Sequence, residues 1–244
     1  MQIAIFGMSH LAALATALRQ DEKSRLRIIN LRARPKLYNM KTKILSLTAW
    51  DEPDPEVVVL SLGGNLHNLI CLMESPVPFA LGDAKAGSVP QYRPGIDAVR
   101  HFVPRDMLVK LLEQRLAPIW QQFRDFHFRF ANSRFVYLAS PSPTRAGPIL
   151  TKEEKEGTSS RAMTRFLVFN ANPPRLRVEV YRIQAALYAA MAAQMGARFL
   201  PSPAAALTSE GLLDDAFWDD DPTHGNAAYG RLVLDQILQN EAAT

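Results

Sequence analysis

A serine stands at the junction of an apolar strand and a helix near the start of the chain. The segment "MQIAIFGMSHLAALATALRQ" predicts a strand that ends before Gly7 and a helix that begins at Leu11, with Ser9 in the turn between them. A serine in this place has its amide at the start of a helix, where negative charge is stabilised. Ser9 is therefore a candidate nucleophile, although serine is also a favoured helix N-cap.

The same turn also permits a dinucleotide-binding interpretation. Gly7, Ser9 and Ala12 occupy the positions that three glycines hold in the Rossmann fingerprint. Two of those glycines are missing, and the second predicted strand ends in "IINLRAR" rather than in the acidic residue that binds a ribose hydroxyl. Only a form in which Arg32 or Arg34 binds the 2′-phosphate of NADP remains, so an NADP-binding oxidoreductase is kept as an alternative.

A carboxylate and a histidine stand three residues apart near the end of the chain. In "FWDDDPTHGNAAYG", Asp221 and His224 lie in a predicted loop that leads into the last helix. Asp221 can accept a hydrogen bond from one imidazole nitrogen while the other nitrogen faces a serine, which is the arrangement of a general base oriented by a carboxylate. The alternative is a helix start capped by Asp221 or Thr223, with the histidine at the surface.

The third predicted strand delivers an amide side chain to the same region. In "EVVVLSLGGNLHN", the strand is followed by Gly63, Gly64 and Asn65. The side-chain amide of Asn65 can donate to a developing oxyanion, whereas the alternative is a plain turn. Because the carboxyl ends of parallel strands meet at one edge of a sheet, Ser9 and Asn65 lie close together if strands one and three are neighbours.

These side chains need a sheet to bring them together. Short apolar segments with turn signals at their ends predict five buried parallel strands: Gln2–Phe6, Leu26–Leu31, Val57–Leu62, Arg134–Ala139 and Ala197–Leu200. Helical patterns lie between them: Leu11 to about Arg19, about Arg105 to Phe126, about Pro174 to Met195, and a last helix from near His224. The alternation predicts an α/β protein with three α/β/α layers and the flavodoxin-like strand order 2-1-3-4-5, which places the first strand beside the third.

The length of 244 residues predicts a single domain over residues 1–244. Two stretches break the alternation, near 75–104 and 141–160, and we expect them to be irregular insertions.

Composition narrows the classes of partner and location. The net charge of +4 and the pI near 9.3 are mildly basic, but Lys and Arg are spread along the chain. We therefore expect no nucleic-acid partner, and the lack of a long apolar run predicts no membrane partner. Cys71 is the only cysteine, and no basic and apolar leader precedes the first strand, so we expect a cytoplasmic protein.

The blocks "FGMSH", "LSLGGN", "RFVYLASPSP" and "DPTHGNAAYG" together resemble those of the SGNH hydrolase superfamily, the GDSL esterases and lipases. The resemblance spans nearly the whole chain, and the final Asp-x-x-His block is its most specific part. It implies that Ser9 is the nucleophile, His224 the base, Asp221 the carboxylate partner and Asn65 an oxyanion donor. Gly63 matches the glycine of the family's Gly-x-Asn motif.

This chain departs from the family pattern at two positions. Met8 stands where the family has an aspartate before the serine. Arg32 stands where the family has a glycine whose backbone N–H is a further oxyanion donor, so we assign Arg32 to oxyanion or substrate binding. His10 and His67 flank the expected site and receive no role, because such histidines commonly make local hydrogen bonds.

The sequence thus predicts a serine esterase that acts through an acyl-enzyme on a small-molecule or carbohydrate-like ester, without a metal or cofactor. Three alternatives stay open: an O-acyltransferase that uses the same residues, a catalytically silent SGNH-like binding domain, and the NADP-binding oxidoreductase.

Overall fold

A computed structural model describes residues 1–73, 79–82, 101–144, 173–219 and 223–242. Its centre is a five-stranded parallel sheet of β1 (Ile3–Gly7), β2 (Leu26–Asn30), β5 (Val57–Ser61), β8 (Arg134–Leu138) and β9 (Arg198–Leu200). The strands are ordered β2-β1-β5-β8-β9, which is 2-1-3-4-5 when these five are counted along the chain. The predicted order is confirmed, and the first and third sheet strands are neighbours.

The register of the sheet aligns three of the predicted site segments. Gly7 at the end of β1 pairs with Asn30 of β2 on one side and with Ser61 of β5 on the other. Ser9, Arg32 and Gly63 each come two residues after one of these paired positions. The three turns therefore leave the sheet at the same level and at the same edge.

Helices cover both faces of the sheet, as predicted. They are α1 (Leu11–Ala17), α2 (Leu66–Asn68), α3 (Arg105–Arg129), α4 (Pro174–Gln194) and α5 (Ala227–Ala242), and a π-helical turn follows α2 at Leu69–Met73. Successive strand residues point to opposite faces. Ile3 and Ile5 pack in a core with residues of α1 and α5, whereas Ala4 and Phe6 pack in a second core with residues of α3 and α4. The three-layer α/β/α fold is confirmed.

The two helices nearest the predicted site differ from their predicted bounds. Helix α1 ends at Ala17 rather than near Arg19, because Leu18 has an extended backbone. Helix α5 begins at Ala227 rather than near His224. Its cap is Asn226, whose Oδ1 accepts hydrogen bonds from the amides of Ala228 and Tyr229 at 2.9 and 3.2 Å. The proposed capping role of Thr223 is therefore wrong, and His224 lies in the turn before the helix.

Short strands lie outside the main sheet. β3 (Tyr38–Asn39) pairs antiparallel with β4 (Ile44–Leu45), and β6 (Phe79–Gly82) pairs parallel with β7 (His101–Pro104). The second pair corrects the prediction that 75–104 is irregular throughout, since a regular ladder forms at both ends of that stretch. Most of its middle, and 145–160 of the other predicted insertion, lie outside the described residues. Among the described helices, none is both long enough and apolar enough to cross a bilayer.

Candidate active site

A cavity of about 540 Å³ opens at the C-terminal edge of the sheet. Five residues predicted from the sequence line it: Ser9, Arg32, Gly63, Asn65 and His224. They come from the turns after β1, β2 and β5 and from the turn before α5. Asp221, the predicted carboxylate partner, lies outside the described residues. The fold thus brings the remaining predicted site residues to one cavity from four separate segments.

Ser9 lies in the turn between β1 and α1 and is partly exposed. Its carbonyl accepts a hydrogen bond from the amide of Ala12 at 3.1 Å, and the carbonyl of Met8 accepts one from Leu11 at 3.1 Å. The N-cap position of α1 belongs to His10, which makes no side-chain cap. Ser9 is therefore not the capping residue of α1. Within the described part of the chain no hydrogen bond joins Ser9 to His224, although both line the cavity.

His224 lies in a turn that the side chain of Asn226 stabilises through hydrogen bonds. The side-chain amide of Asn226 donates to the carbonyls of Ala216 and Trp218 at 2.9 and 3.1 Å. The carbonyl of His224 accepts from the amide of Asp219 at 3.1 Å. These bonds fix the backbone on both sides of the histidine and leave its ring at the cavity wall.

Two of the described residues lie close to the imidazole of His224. Its Nδ1 lies 2.9 Å from the Thr223 hydroxyl oxygen. The ring of His10 lies beside it, with 4.8 Å between ring centroids and 48° between the planes. His10 Nε2 in turn lies near Gly64, within 3.3 Å of where a Cβ on that glycine would stand. The second histidine thus sits between His224 and the turn that carries Asn65.

Gly63 begins the turn that carries Asn65, and its place admits only a glycine. Its φ is +67°, in the left-handed region. A Cβ there would lie 2.7 Å from the Tyr188 hydroxyl and 2.8 Å from an Ile119 side-chain carbon. That hydroxyl donates to the carbonyl of Leu62 at 2.8 Å, and so ties α4 to the end of the strand. The match of Gly63 to the family motif has a steric reason.

A buried glutamine of α4 holds the rest of this turn. Gln184 Nε2 donates to the Gly64 carbonyl at 2.8 Å, and its Oε1 accepts from the His67 amide at 2.8 Å. His67 Nδ1 also lies 3.0 Å from the Gly64 carbonyl. Gly64 precedes Asn65 in the chain and His67 follows it, so the bonds of Gln184 hold the backbone on both sides of Asn65. Asn65 Oδ1 is buried and has no hydrogen-bond partner among the described residues.

Burial keeps the His67 ring neutral. Desolvation lowers the pKa of this fully buried histidine from 6.5 to about 4, against the opposing effect of its hydrogen bond to Gly64. Because the carbonyl can only accept, the neutral ring must carry its proton on Nδ1 and donate it.

This pKa shift predicts acid sensitivity of the fold. The unfolded chain binds a proton at position 67 below pH 6.5, whereas the folded protein binds it only near pH 4. The titration of His67 therefore leaves the free energy of unfolding unchanged above pH 6.5. As the pH falls towards 4 it lowers that free energy by about 3 kcal/mol, for a shift of this size. Urea unfolding measured across this range should show the loss. In His67→Gln, the glutamine amide can donate to Gly64 without titrating, so the free energy of unfolding should depend less steeply on pH. An unchanged pH dependence in that variant would contradict the assignment of the acid sensitivity to His67.

Arg32 lines the cavity, and its amide is already bound. The amide donates to Asn30 Oδ1 at 3.0 Å, which caps the short 3-10 turn Leu31–Ala33. Ser9 and Asn65, which the sequence predicts to bind an oxyanion, both line the same cavity as Arg32.

Comparisons with known proteins bear on the fold. No protein-family model and no curated protein sequence matches the chain. The chain is similar in structure to a GDSL-like lipase from Bacteroides thetaiotaomicron (TM-score 0.51, 11% identity, covering 100% of this chain and 89% of that one). It is also similar to an extracellular lipase from Streptomyces rimosus (0.51, 14%, 98% and 99%) and to the periplasmic domain of a Salmonella Paratyphi A lipopolysaccharide acetyltransferase (0.50, 14%, 100% and 84%). The fold is that of the SGNH hydrolases.

In this SGNH hydrolase fold the cavity also includes residues that the sequence analysis does not select. Helix α3 contributes Arg115, Leu116 and Ile119, and His10 contributes its ring. The only sequence signal for the α3 residues is helical spacing, since positions 115 and 119 lie on one face of a helix. Nothing in the sequence says that this face covers the turn at Gly63.

Proposed function

We propose that this protein is a serine ester hydrolase that acts on a small-molecule or carbohydrate-like ester through an acyl-enzyme. The observation that carries the proposal is the shared cavity: Ser9, Asn65 and His224 come from distant segments and line one space with an apolar wall. A nucleophile, an amide donor and an imidazole are the groups that acyl transfer requires.

The proposed reaction has two halves. His224 takes the proton of the Ser9 hydroxyl as its oxygen attacks the ester carbonyl, and the amide of Ser9 and the side chain of Asn65 stabilise the oxyanion. The alcohol leaves with the proton from His224, and the acyl group stays on Ser9. Water then gives a proton to His224 and attacks the acyl-enzyme. The acid is released as His224 returns that proton to the Ser9 oxygen. Asp221 is proposed to orient the imidazole and to stabilise its charged form.

The test is reaction with a fluorophosphonate together with a panel of esters. The tetrahedral phosphorus of the adduct resembles the intermediate, so an activated serine reacts and an ordinary hydroxyl does not. We expect one adduct per chain, on the peptide that contains Ser9, and turnover of short aryl esters or acetylated sugars. Sugar alcohols added to the assay would reveal acyl transfer as a new ester. An unlabelled protein with no turnover would favour the silent binding domain. The expected small-molecule partner and cytoplasmic location stay predictions.

Gln184 offers a prediction about how the oxyanion donor is held. Gln184→Met is close in shape but loses both hydrogen bonds to the turn around Asn65. We expect kcat to fall about tenfold with little change in KM, because the donor matters most in the transition state. Asn65→Ala should cost about a hundredfold.

The double variant separates a positioning role from a general loss of stability. If Gln184 acts through Asn65, then Gln184→Met adds little once Asn65 is alanine. Gln122→Met is the matched control, since Gln122 is also buried but lies on α3 outside the cavity lining. Full additivity in the double variant, or an equal loss in the control, would contradict the positioning role.

A further inference from the structure

The described lining of the cavity carries charge of one sign. Arg32 and Arg115 both line it, and none of the described lining residues is an aspartate or glutamate. The rest of the wall is largely apolar, from residues such as Leu66, Leu69 and Ile119. Both arginines are exposed, and two guanidinium groups that line the same cavity attract anions to it.

Arg32 is held by its backbone, and its side chain is exposed at the cavity. Its turn is anchored by the fully buried Leu31 and by the bond from its amide to Asn30. The neighbouring arginines behave differently, since Arg27 and Arg34 share Glu52 at 2.8 and 3.3 Å. Arg32 makes no ion pair with any residue that the structure describes. Its guanidinium is thus not used in the ion pairing that holds its neighbours.

Arg115 approaches the cavity from a second direction. Ile119 of α3 contacts the turn at Gly63, which fixes that face of the helix over the cavity. Arg115 lies one helical turn before Ile119 and on the same face. The two arginines therefore reach the cavity from the β2 side and from the helical layer.

We propose that Arg32 and Arg115 form an anion subsite, so that the preferred ester carries a carboxylate or phosphate group in addition to its ester bond. Guanidinium groups bind both anions through paired, charge-assisted hydrogen bonds. This inference rests on the proposed esterase function and names the substrate class for it. It assigns the apolar wall to the remainder of the acyl or alcohol part.

Matched substrates test the subsite and show which part of the ester carries the anion. The first pair is the 4-nitrophenyl monoester of succinate and its methyl ester, which differ in a charge on the acyl part. The second pair is an O-acetylated sugar phosphate and the same acetylated sugar, which differ in a charge on the alcohol part. We expect kcat/KM to be at least about tenfold higher for the anionic member of one pair, a preference that about 0.5 M salt reduces.

Variants assign the preference to the two arginines. Arg32→Gln and Arg115→Gln should each lower kcat/KM for the anionic ester about tenfold more than for its neutral partner. Arg124→Gln, an exposed change on the same helix as Arg115, should leave the ratio as it is. Equal kcat/KM values within both pairs, or equal losses for both members in the arginine variants, would overturn the subsite.

A binding measurement separates this inference from the esterase proposal. Ser9→Ala protein is titrated calorimetrically with both members of each pair, so turnover is not needed. Tighter binding of the anionic member supports the subsite even if no ester is hydrolysed. Equal binding overturns it, even if the wild-type protein is labelled by a fluorophosphonate and hydrolyses neutral esters.

Discussion

Ser9→Ala is expected to abolish fluorophosphonate labelling and to lower ester turnover by about a thousandfold or more, because the variant has no atom to form the acyl-enzyme. The change removes one oxygen from a partly exposed turn residue and opens no core cavity. Folding should therefore be retained. Intact mass spectrometry measures the adduct, steady-state kinetics measures the turnover, and circular dichroism checks the fold.

Ser24→Ala is the matched control for this change. Ser24 is exposed and lies at the end of the 3-10 segment Gln20–Ser24, outside the cavity lining. It should label and turn over as the wild type does. Labelling that persists in Ser9→Ala, or an adduct on another serine, would mean that Ser9 is not the nucleophile.

His224→Gln is expected to lower turnover by about a thousandfold and to slow labelling to a similar extent, because the glutamine amide cannot accept the Ser9 proton. Asp221→Asn should lower kcat more than it raises KM. Stopped-flow labelling and steady-state kinetics provide the measurements.

Two other histidines sharpen the test. His127 is the control, since it lies outside the cavity lining. Its Nε2 is 2.7 Å from the Tyr137 hydroxyl oxygen, and His127→Gln should keep the activity of the wild type. His10 is the competitor, since its ring lies beside that of His224. If a variant at His10 loses labelling and turnover while His224→Gln keeps both, His10 rather than His224 is the base.

The sheet could be predicted from the sequence because each strand carries its own signal. β1 and β5 are buried and nearly all apolar, and the other three strands add only one or two polar residues to an apolar run. The five segments can therefore be recognised without knowledge of their partners. Each predicted end lies within one residue of the end in the structure. Helix ends were less predictable, since the start of α5 depends on which polar residue caps it, and Asn226, Thr223 and Asp221 are all chemically able to do so.

The candidate site divides in a similar way. Ser9, Asn65 and His224 were predictable because each stands next to a local signal, a strand end or the start of a helix. Outside the site, the pairing of β6 with β7 was not predictable, because the two strands pair across a stretch rich in proline and glycine. Arg115 was not predicted, because its spacing is equally typical of a solvated helix face. His10 was given no role, because a histidine in such a turn commonly makes only a local hydrogen bond.

The sequence by itself determined the strands, the layers and the residue types that can carry out acyl transfer, because backbone preference and hydrophobic burial act over a few neighbouring positions. Only the tertiary structure decided which side chains hold those residues in place. Gln184 forms hydrogen bonds with His67 and Gly64, which lie 117 and 120 positions before it in the chain. Ile119 meets Gly63 because α3 packs on the sheet. Such contacts follow from the docking of helices on the sheet, and a buried glutamine or an exposed arginine carries no local sign of the turn or cavity that it will meet.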